Sequence, residues 1–231
     1  MLTVTLAGAP SVGKTAVIGH LVRALLARGR RPAAVKFDTR SSSDADRLAA
    51  LHGIPTIGGL SGYLCPDHFL ASNLEEAMDW GRDNRADVLL IETAGLCLRC
   101  APHVEGVPAV TVVDCLGGID VPGKMGPMLA SADIVLVTKG DLVSQAEREV
   151  FIHALPKAAP DARIIPVNGL SGSGIRVLAR CLEGMGSAEP GELARLRHDM
   201  PASICSYCTG ERRIGRRYQT GNVEKLVWRG R

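Results

Sequence analysis

Gly8-Ala9-Pro10-Ser11-Val12-Gly13-Lys14-Thr15 is a complete G-x-x-x-x-G-K-T. It follows a run that reads as a strand, Leu2–Leu6, and opens one that reads as a helix, Lys14–Ala27, with Val17, Leu21, Ala24 and Leu25 on one face. In that setting the glycines let the backbone curl with its N–H groups turned inward, a cradle for phosphate oxygens. Lys14 brings a positive charge to the β and γ phosphates, Thr15 a hydroxyl for Mg²⁺, and the helix N-terminus its dipole. The candidate nucleotide contacts here are Gly8, Ala9, Pro10, Ser11, Val12, Gly13, Lys14, Thr15 and Ala16.

Working outward, short β-branched runs recur at Ala33–Phe37, Val88–Ile91, Ala109–Val113, Ile134–Val137 and Ile164–Val167. Several are apolar with almost no alternation, as strands covered on both faces are. Helical periodicity lies between them, at Val143–Leu155 and Ile175–Leu182. Ser72-Asn73-Leu74-Glu75 has capping-box spacing and predicts a helix starting there and running toward Trp80. Alternating strands and helices predict an α/β fold, a mostly parallel sheet of P-loop NTPase type with helices on both faces. The stretch 184–191, Gly-Met-Gly-Ser-Ala-Glu-Pro-Gly, reads as a linker. It divides a main domain, 1–184, from a C-terminal appendage, 185–231.

The 231 residues carry 26 Gly and 7 Cys, with only 3% aromatics, so the core is aliphatic. The net charge of +3 is too small to argue for nucleic acid. It is unevenly spread: residues 209–231 hold seven Lys/Arg against two acids, a net +5, while the rest of the chain has 20 bases and 22 acids. An odd cysteine count excludes complete intramolecular disulfide pairing. No run approaches the length of a membrane span, and the N-terminus lacks the basic start of a signal peptide. The expected setting is cytoplasmic, where cysteines persist as thiols that fill cores, bind metal or react.

Further parts fall in P-loop order. Asp87-Val88-Leu89-Leu90-Ile91-Glu92 is an apolar strand ending in a carboxylate, so Glu92 is a candidate to hold Mg²⁺ or its water. Thr93-Ala94-Gly95 then reads as the turn that senses the γ-phosphate, with Gly95 a nucleotide contact. Asp38 ends another strand and either faces Mg²⁺, orders the attacking water, or simply begins a loop. Lys14, Asp38 and Glu92 are the candidate catalytic residues, and Thr15 and Asp38 the candidate Mg²⁺ ligands. Thr138-Lys139-Gly140-Asp141 resembles the N-K-x-D guanine motif with Thr in place of Asn. A carboxylate at Asp141 accepts two hydrogen bonds from guanine N1–H and N2–H₂, a donor pair adenine lacks, and the Lys139 stem packs over the base. Asn168, Gly169 and Leu170 occupy the position of a second base-contacting loop.

The order of these pieces, over about residues 3–182, resembles the nickel-insertion GTPases of urease and hydrogenase maturation (UreG and HypB), within the P-loop metallochaperone GTPases. The most specific stretch runs from Val113-Asp114 through Gly117-Gly118, Pro122-Gly123-Lys124-Met125-Gly126-Pro127 and Ser131-Ala132-Asp133 to Asp141. Asp38, Asp44 and Asp46 are spaced like the acids of the urease protein's switch region. Cys65-Pro66-Asp67-His68 is similar to its Cys-Pro-His, with Asp67 as an extra residue. The resemblance implies GTP and Mg²⁺ as ligands, a nucleotide-dependent homodimer, and nickel or zinc held by Cys65 and His68. The six His are dispersed, with no long His-rich stretch.

Cys97-Leu98-Arg99-Cys100 follows the sensing turn directly. Two thiolates at this spacing are half a tetrahedral set. A two-fold dimer supplies four, enough for Zn²⁺ or an iron–sulfur cluster, or else Cys65, His68 and His103 complete the set. Relatives of the hydrogenase type carry a Cys after the same turn. Cys205 and Cys208 form a second pair outside the resemblance, a second candidate metal site completed by His198, by another subunit, or by Cys97 and Cys100. Cys115 and Cys181 read as core.

Three functions follow. The leading one is a GTP-binding and GTP-hydrolysing metallochaperone that delivers metal to an acidic client metalloenzyme or accessory maturation protein, the basic tail serving as dock. The second is an ATP- or GTP-driven electron donor or cluster carrier with a dimer-bridging [4Fe–4S] cluster. Against it, the loop lacks the second lysine of nitrogenase-iron-protein-like ATPases. The third is a small-molecule kinase or ligase on the same scaffold, disfavoured by the guanine-like motif and the metal-like residues. RNA binding is poorly supported, since the tail has few stacking aromatics.

Overall fold

The computed structural model describes residues 1–39, 43–95, 103–186, 195–197, 214 and 225–228, without the side chain of Pro127. The strands are β1 (Leu2–Ala7), β2 (Pro32–Asp38), β3 (Thr56–Leu60), β4 (Val88–Glu92), β5 (Ala109–Asp114), β6 (Ile134–Thr138) and β7 (Arg163–Pro166). The helices are α1 (Lys14–Leu26), α2 (Asp44–His52), α3 (Pro66–Asp83), α4 (Val121–Lys124), α5 (Gly126–Ala130), α6 (Gln145–Ala158) and α7 (Ile175–Glu183).

The strands form one sheet in the order β3-β2-β4-β1-β5-β6-β7, and every pairing is parallel. The near-continuous apolar runs are explained by burial on both faces. In β4, Val88 and Leu90 enter a core with Val17, Leu21 and Leu25 of α1 and Leu178 of α7, while Leu89 and Ile91 face Leu70 and Leu74 of α3 on the other side. Successive side chains of a strand point to opposite faces, so both sets must be apolar. Around β5 and β6 a third cluster collects Val113, Val135 and Val137 with Met128 of α5 and Phe151 and Leu155 of α6. Each of these buried side chains contributes about 1.5–3 kcal/mol over leaving it in water.

Three differences from the sequence expectations have physical causes. The edge strand β3 (Thr56-Ile57-Gly58-Gly59-Leu60) carries two glycines and half-exposed residues, so it has neither alternation nor an apolar run to announce it. The helix α2 opens at Asp44, with Asp44 and Asp46 in its first turn, where the helix dipole favours acids. The third is a correction: α3 begins at Pro66, not at Ser72. Cys65 is extended (φ −61°, ψ 125°) and Pro66 takes the first turn, where its missing N–H costs nothing. Ser72 lies inside the helix and its hydroxyl donates to the Phe69 carbonyl at 3.2 Å.

Short described pieces after residue 186 lie on this body. Val104 and Leu196 form an antiparallel bridge, and Arg197 grips Asp133 with two bonds of 2.7 and 2.8 Å. Leu226 N–H donates to Asn73 Oδ1 at 2.9 Å, Lys225 donates to Glu76 at 2.8 Å, and the Trp228 and Trp80 rings lie 6.2 Å apart. Among the described residues no helix is long and apolar enough to cross a membrane.

Candidate nucleotide and metal site

The sheet order places a topological switch at β1. The chain moves from β1 toward β2 on one side, then crosses to β5 on the other. In such sheets ligands bind beyond the carboxyl ends of the strands at this point. The strand ends carry nearly every described candidate: Gly8 after β1, Asp38 on β2, Cys65 after β3, Glu92 on β4, Lys139 after β6 and Asn168 after β7. A cleft of about 350 Å³ opens there, lined among others by Ser11, Lys14, Thr15, Asp38 and Glu92.

Two glycines are fixed by close approach. A Cβ on Gly8 (φ +146°) would lie 2.3 Å from the Val112 carbonyl oxygen, and one on Gly95 (φ +71°) would lie 1.6 Å from the carbonyl oxygen of Gly8. The turn after β4 therefore rests directly on the phosphate loop. Lys14 ties the two together: its ammonium donates to the carbonyls of Gly8 and Ala9 at 2.9 Å each and reaches Ala94 at 3.5 Å. Burial holds its pKa below the ordinary lysine value, against the attraction of Glu92.

On the metal side, the Thr15 hydroxyl lies 3.1 Å from Glu92 Oε1 and 3.3 Å from Asp44 Oδ2. Glu92 is 4% exposed, and burial raises its pKa although Lys36 and Lys14 oppose that. In their midst is Lys36, to which the sequence reading gave no role. Its ammonium donates to Asp44 and to Thr15 Oγ1 (3.2 Å), and pairs with Glu92 Oε1 at 3.5 Å and Asp38 Oδ2 at 3.9 Å. Burial works against its charge, but Glu92, Asp44 and Asp38 outweigh it and its pKa rises. The same ammonium is the main cause of Asp44's depressed pKa. Lys36 and Glu92 are register partners in β2 and β4, which puts both side chains on one face. The available signal was a lone charge inside the apolar run Ala33-Ala34-Val35-Lys36-Phe37, two residues before Asp38 and so on its face.

At the end of β6, where the sequence leads one to expect the base, Thr138 stands in the Asn position of the motif: its hydroxyl lies 2.6 Å from the Val12 carbonyl and 3.1 Å from that of Val113, tying the loop after β1 to β5 and β6. Lys139 (φ +56°) donates to Asp114 Oδ2 at 2.6 Å, and Asp114 Oδ1 caps the turn at Leu116 and Gly117. Asp141 is exposed. Asn168 Oδ1 accepts from the N–H groups of Leu170 and Ser171, while the Gly169 carbonyl meets His20 of α1 at 3.0 Å.

Cys65 caps α3 and is half-buried, and His68 is buried, its pKa pushed down to about 4 by that burial. Between them Asp67, 1% exposed, accepts a 2.6 Å hydrogen bond from Thr93 of the sensing turn. Its second oxygen has no hydrogen-bond partner among the described residues, and burial pushes its pKa up to about 6. His103 is not an available ligand: it is fully buried, with Nδ1 2.8 Å from Thr5 Oγ1 and Nε2 3.1 Å from Thr111 Oγ1. Cys115 is buried and Cys181 packs at the edge of the first core, both free thiols. Cys97, Cys100, His198, Cys205 and Cys208 lie outside the described residues. Among the described residues no three His, Cys, Asp or Glu side chains form a metal-holding group. Mg²⁺ does not require one, since it takes one or two carboxylates and completes its shell with phosphates and water.

The profile of the family described as "CobW/HypB/UreG, nucleotide-binding domain" matches residues 2–166. The chain belongs to this family. It is 43% identical over 226 residues (98% of this chain, 96% of the relative) to an uncharacterized protein of Methanocaldococcus jannaschii. It is 28% identical over 178 residues to the hydrogenase maturation factor HypB of Azotobacter vinelandii, covering 76% of this chain and 57% of that one. With a urease accessory protein UreG of Streptomyces coelicolor it shares 31% over 188 residues, 77% of this chain and 83% of that one. The fold matches HypB from Helicobacter pylori in complex with nickel, with TM-score 0.66 at 22% identity, over 82% of this chain and 91% of that one.

Proposed function

We propose that this family member is a GTP-hydrolysing metallochaperone, holding a transition-metal ion through cysteine and histidine beside its nucleotide switch and passing it to a metalloenzyme. The observation that carries the reading is the Asp67–Thr93 hydrogen bond. It joins the Cys65-Pro66-Asp67-His68 element to the turn that also touches Lys14, so a change at the phosphates reaches the thiol and imidazole through two contacts. Nickel in the H. pylori HypB structure, and the urease and hydrogenase roles in the relatives' names, support metal as cargo.

Thr15 and Glu92 are the residues to hold Mg²⁺, with Asp38 and Asp44 within reach of its shell. Their hydroxyl and carboxylate oxygens suit a hard ion, and the Lys36 ammonium already stands among them as a cation. When bound, Mg²⁺ neutralises charge on the β and γ phosphates. Lys14 leaves the carbonyls of Gly8 and Ala9 for the phosphate oxygens and stabilises the charge that spreads over them in the transition state. Glu92 orients the shell through Thr15. Asp141 selects guanine, while Lys139, held by Asp114, lays its stem along the base. The products are GDP and phosphate, and no arginine lines the cleft among the described residues, so turnover alone is slow.

In this reading two copies pair with GTP bound and share cargo through Cys65, His68, Cys97 and Cys100, with Cys205 and Cys208 as a second site. Residues 185–231 form an appendage to the 1–184 domain whose basic side chains dock an acidic client. The setting is the reducing cell interior. Anaerobic purification followed by metal and sulfide analysis, with and without GTP–Mg²⁺, tests the reading. Zinc or nickel without sulfide supports it. Iron with matching sulfide replaces it with the cluster-bearing electron donor, and a phosphorylated small molecule as product replaces it with a kinase.

A further inference from the structure

Lys36 of the cleft is assigned no part in binding or hydrolysis by the metallochaperone reading. It is a cation enclosed by oxygen atoms from four elements: Thr15 of α1, Asp38 at the end of its own β2, Asp44 of α2 and Glu92 of β4. Its side chain is 11% exposed. Thr15 and Glu92 are also the residues nominated for Mg²⁺. The same lone pairs cannot serve an ammonium and a divalent ion together. The register pairing with Glu92 and the β2 backbone fix where the lysine stem starts, so the ammonium returns to this cage whenever nothing displaces it.

We propose that Lys36 is a tethered competitor of divalent cations: its ammonium fills the cage of Thr15, Asp44 and Glu92, so that a divalent ion enters effectively only together with nucleotide phosphates and by displacing Lys36. The inference rests on the reading of Thr15 and Glu92 as the Mg²⁺ residues. Asp44 and Glu92 beside the Thr15 hydroxyl, with Asp38 3.9 Å from the Lys36 ammonium, are a negatively charged oxygen cluster that attracts a hard divalent ion even without nucleotide. One ammonium removes part of that attraction at no cost in translational entropy, because it is attached to the chain. Nucleotide phosphates add negative charge and further oxygen ligands, and these tip the competition to the divalent ion. For a protein that handles transition-metal cargo, the device keeps stray ions off the nucleotide switch.

Lys36→Met tests this, because it keeps the stem and removes the charge. Mn²⁺ binding to the nucleotide-free protein is followed by electron paramagnetic resonance, alongside the Mg²⁺ concentration needed for half-maximal GDP retention. The expected result is Mn²⁺ binding at least 10-fold tighter in Lys36→Met than in the wild type, with the Mg²⁺ requirement lowered by a similar factor. Lys36→Arg, which keeps a cation, restores weak Mn²⁺ binding. Adding Thr15→Ala and Glu92→Gln to Lys36→Met abolishes the gained site. Mn²⁺ binding unchanged or weakened in a Lys36→Met protein of wild-type thermal stability overturns the proposal. So does a gained Mn²⁺ site that survives the Thr15 and Glu92 substitutions. The Mn²⁺ measurement needs no nucleotide, so a wild-type protein that fails to bind GTP contradicts the GTPase reading and leaves this test standing.

Discussion

The two sides of the cleft are built from different materials. On the base side, Thr138 clasps the carbonyls of Val12 and Val113, and Asn168 closes its own loop through two backbone N–H groups. Most of these bonds end on backbone and do not depend on a ligand. On the metal side, Lys14, Lys36, Asp38, Asp44, Glu92 and Thr15 converge from several elements and are held mainly by charge. Within the metal side the two lysines shift in opposite directions: Lys14 is desolvated among carbonyls, while Lys36 is stabilised by carboxylates. A fixed base side suits recognition. A metal side held by ion pairs rearranges when phosphate and a divalent ion bring their own charge.

The largest expected effect comes where the metal side meets the phosphate loop. Gly95→Ala puts a Cβ 1.6 Å from a backbone oxygen at φ +71°. The backbone must shift, at a cost of about 3 kcal/mol or more. Chemical denaturation should show that loss, and calorimetry should find nucleotide binding abolished. Next is Lys14→Ala, which removes charge-assisted bonds to phosphate and should weaken GTP binding about 100-fold, equivalent to about 3 kcal/mol. Thermal stability should fall by no more than about 1–2 kcal/mol, since the bonds lost to the Gly8 and Ala9 carbonyls are partly offset by removing a desolvated cation.

On the base side, Asp141→Asn offers one acceptor and one donor in place of two acceptors. Guanine should lose at least 10-fold in affinity, and xanthine, which presents N1–H beside a carbonyl, should gain. Mn²⁺ binding at the other side should not change, and a joint change would break the separation of the two sides. The smallest effect is Thr138→Val, of nearly equal volume. It removes the one hydroxyl proton that the Val12 and Val113 carbonyls share and should cost about 1–2 kcal/mol in a melting experiment, with base preference retained.

The same contrast governs what the sequence made legible. The candidate base contacts, Thr138–Asp141 and Asn168–Leu170, are contiguous motifs that stand out in the sequence, and six of the seven strands are announced by apolar runs. The metal side is assembled by register. Nothing local in Val35-Lys36-Phe37 shows that Lys36 will stand beside Glu92, 56 positions on, until β2 and β4 are paired. The start of α3 was misread because Ser72 and Glu75 have capping spacing. Pro66 with Asp67 in the first turn was the stronger signal, and it places Asp67 against Thr93. His103 read as a ligand because its partners, Thr5 and Thr111, come from two other strands.

In the proposed function, nucleotide state controls metal held beside Asp67 and the Thr93–Gly95 turn. The most direct test is equilibrium dialysis of the full chain against Ni²⁺ or Zn²⁺, with a non-hydrolysable GTP analogue plus Mg²⁺ or with GDP plus Mg²⁺. The expected result is stoichiometric metal in the triphosphate state, at least 10-fold weaker retention with GDP, and loss of that difference in Thr93→Val. Equal metal content in the two nucleotide states would contradict it.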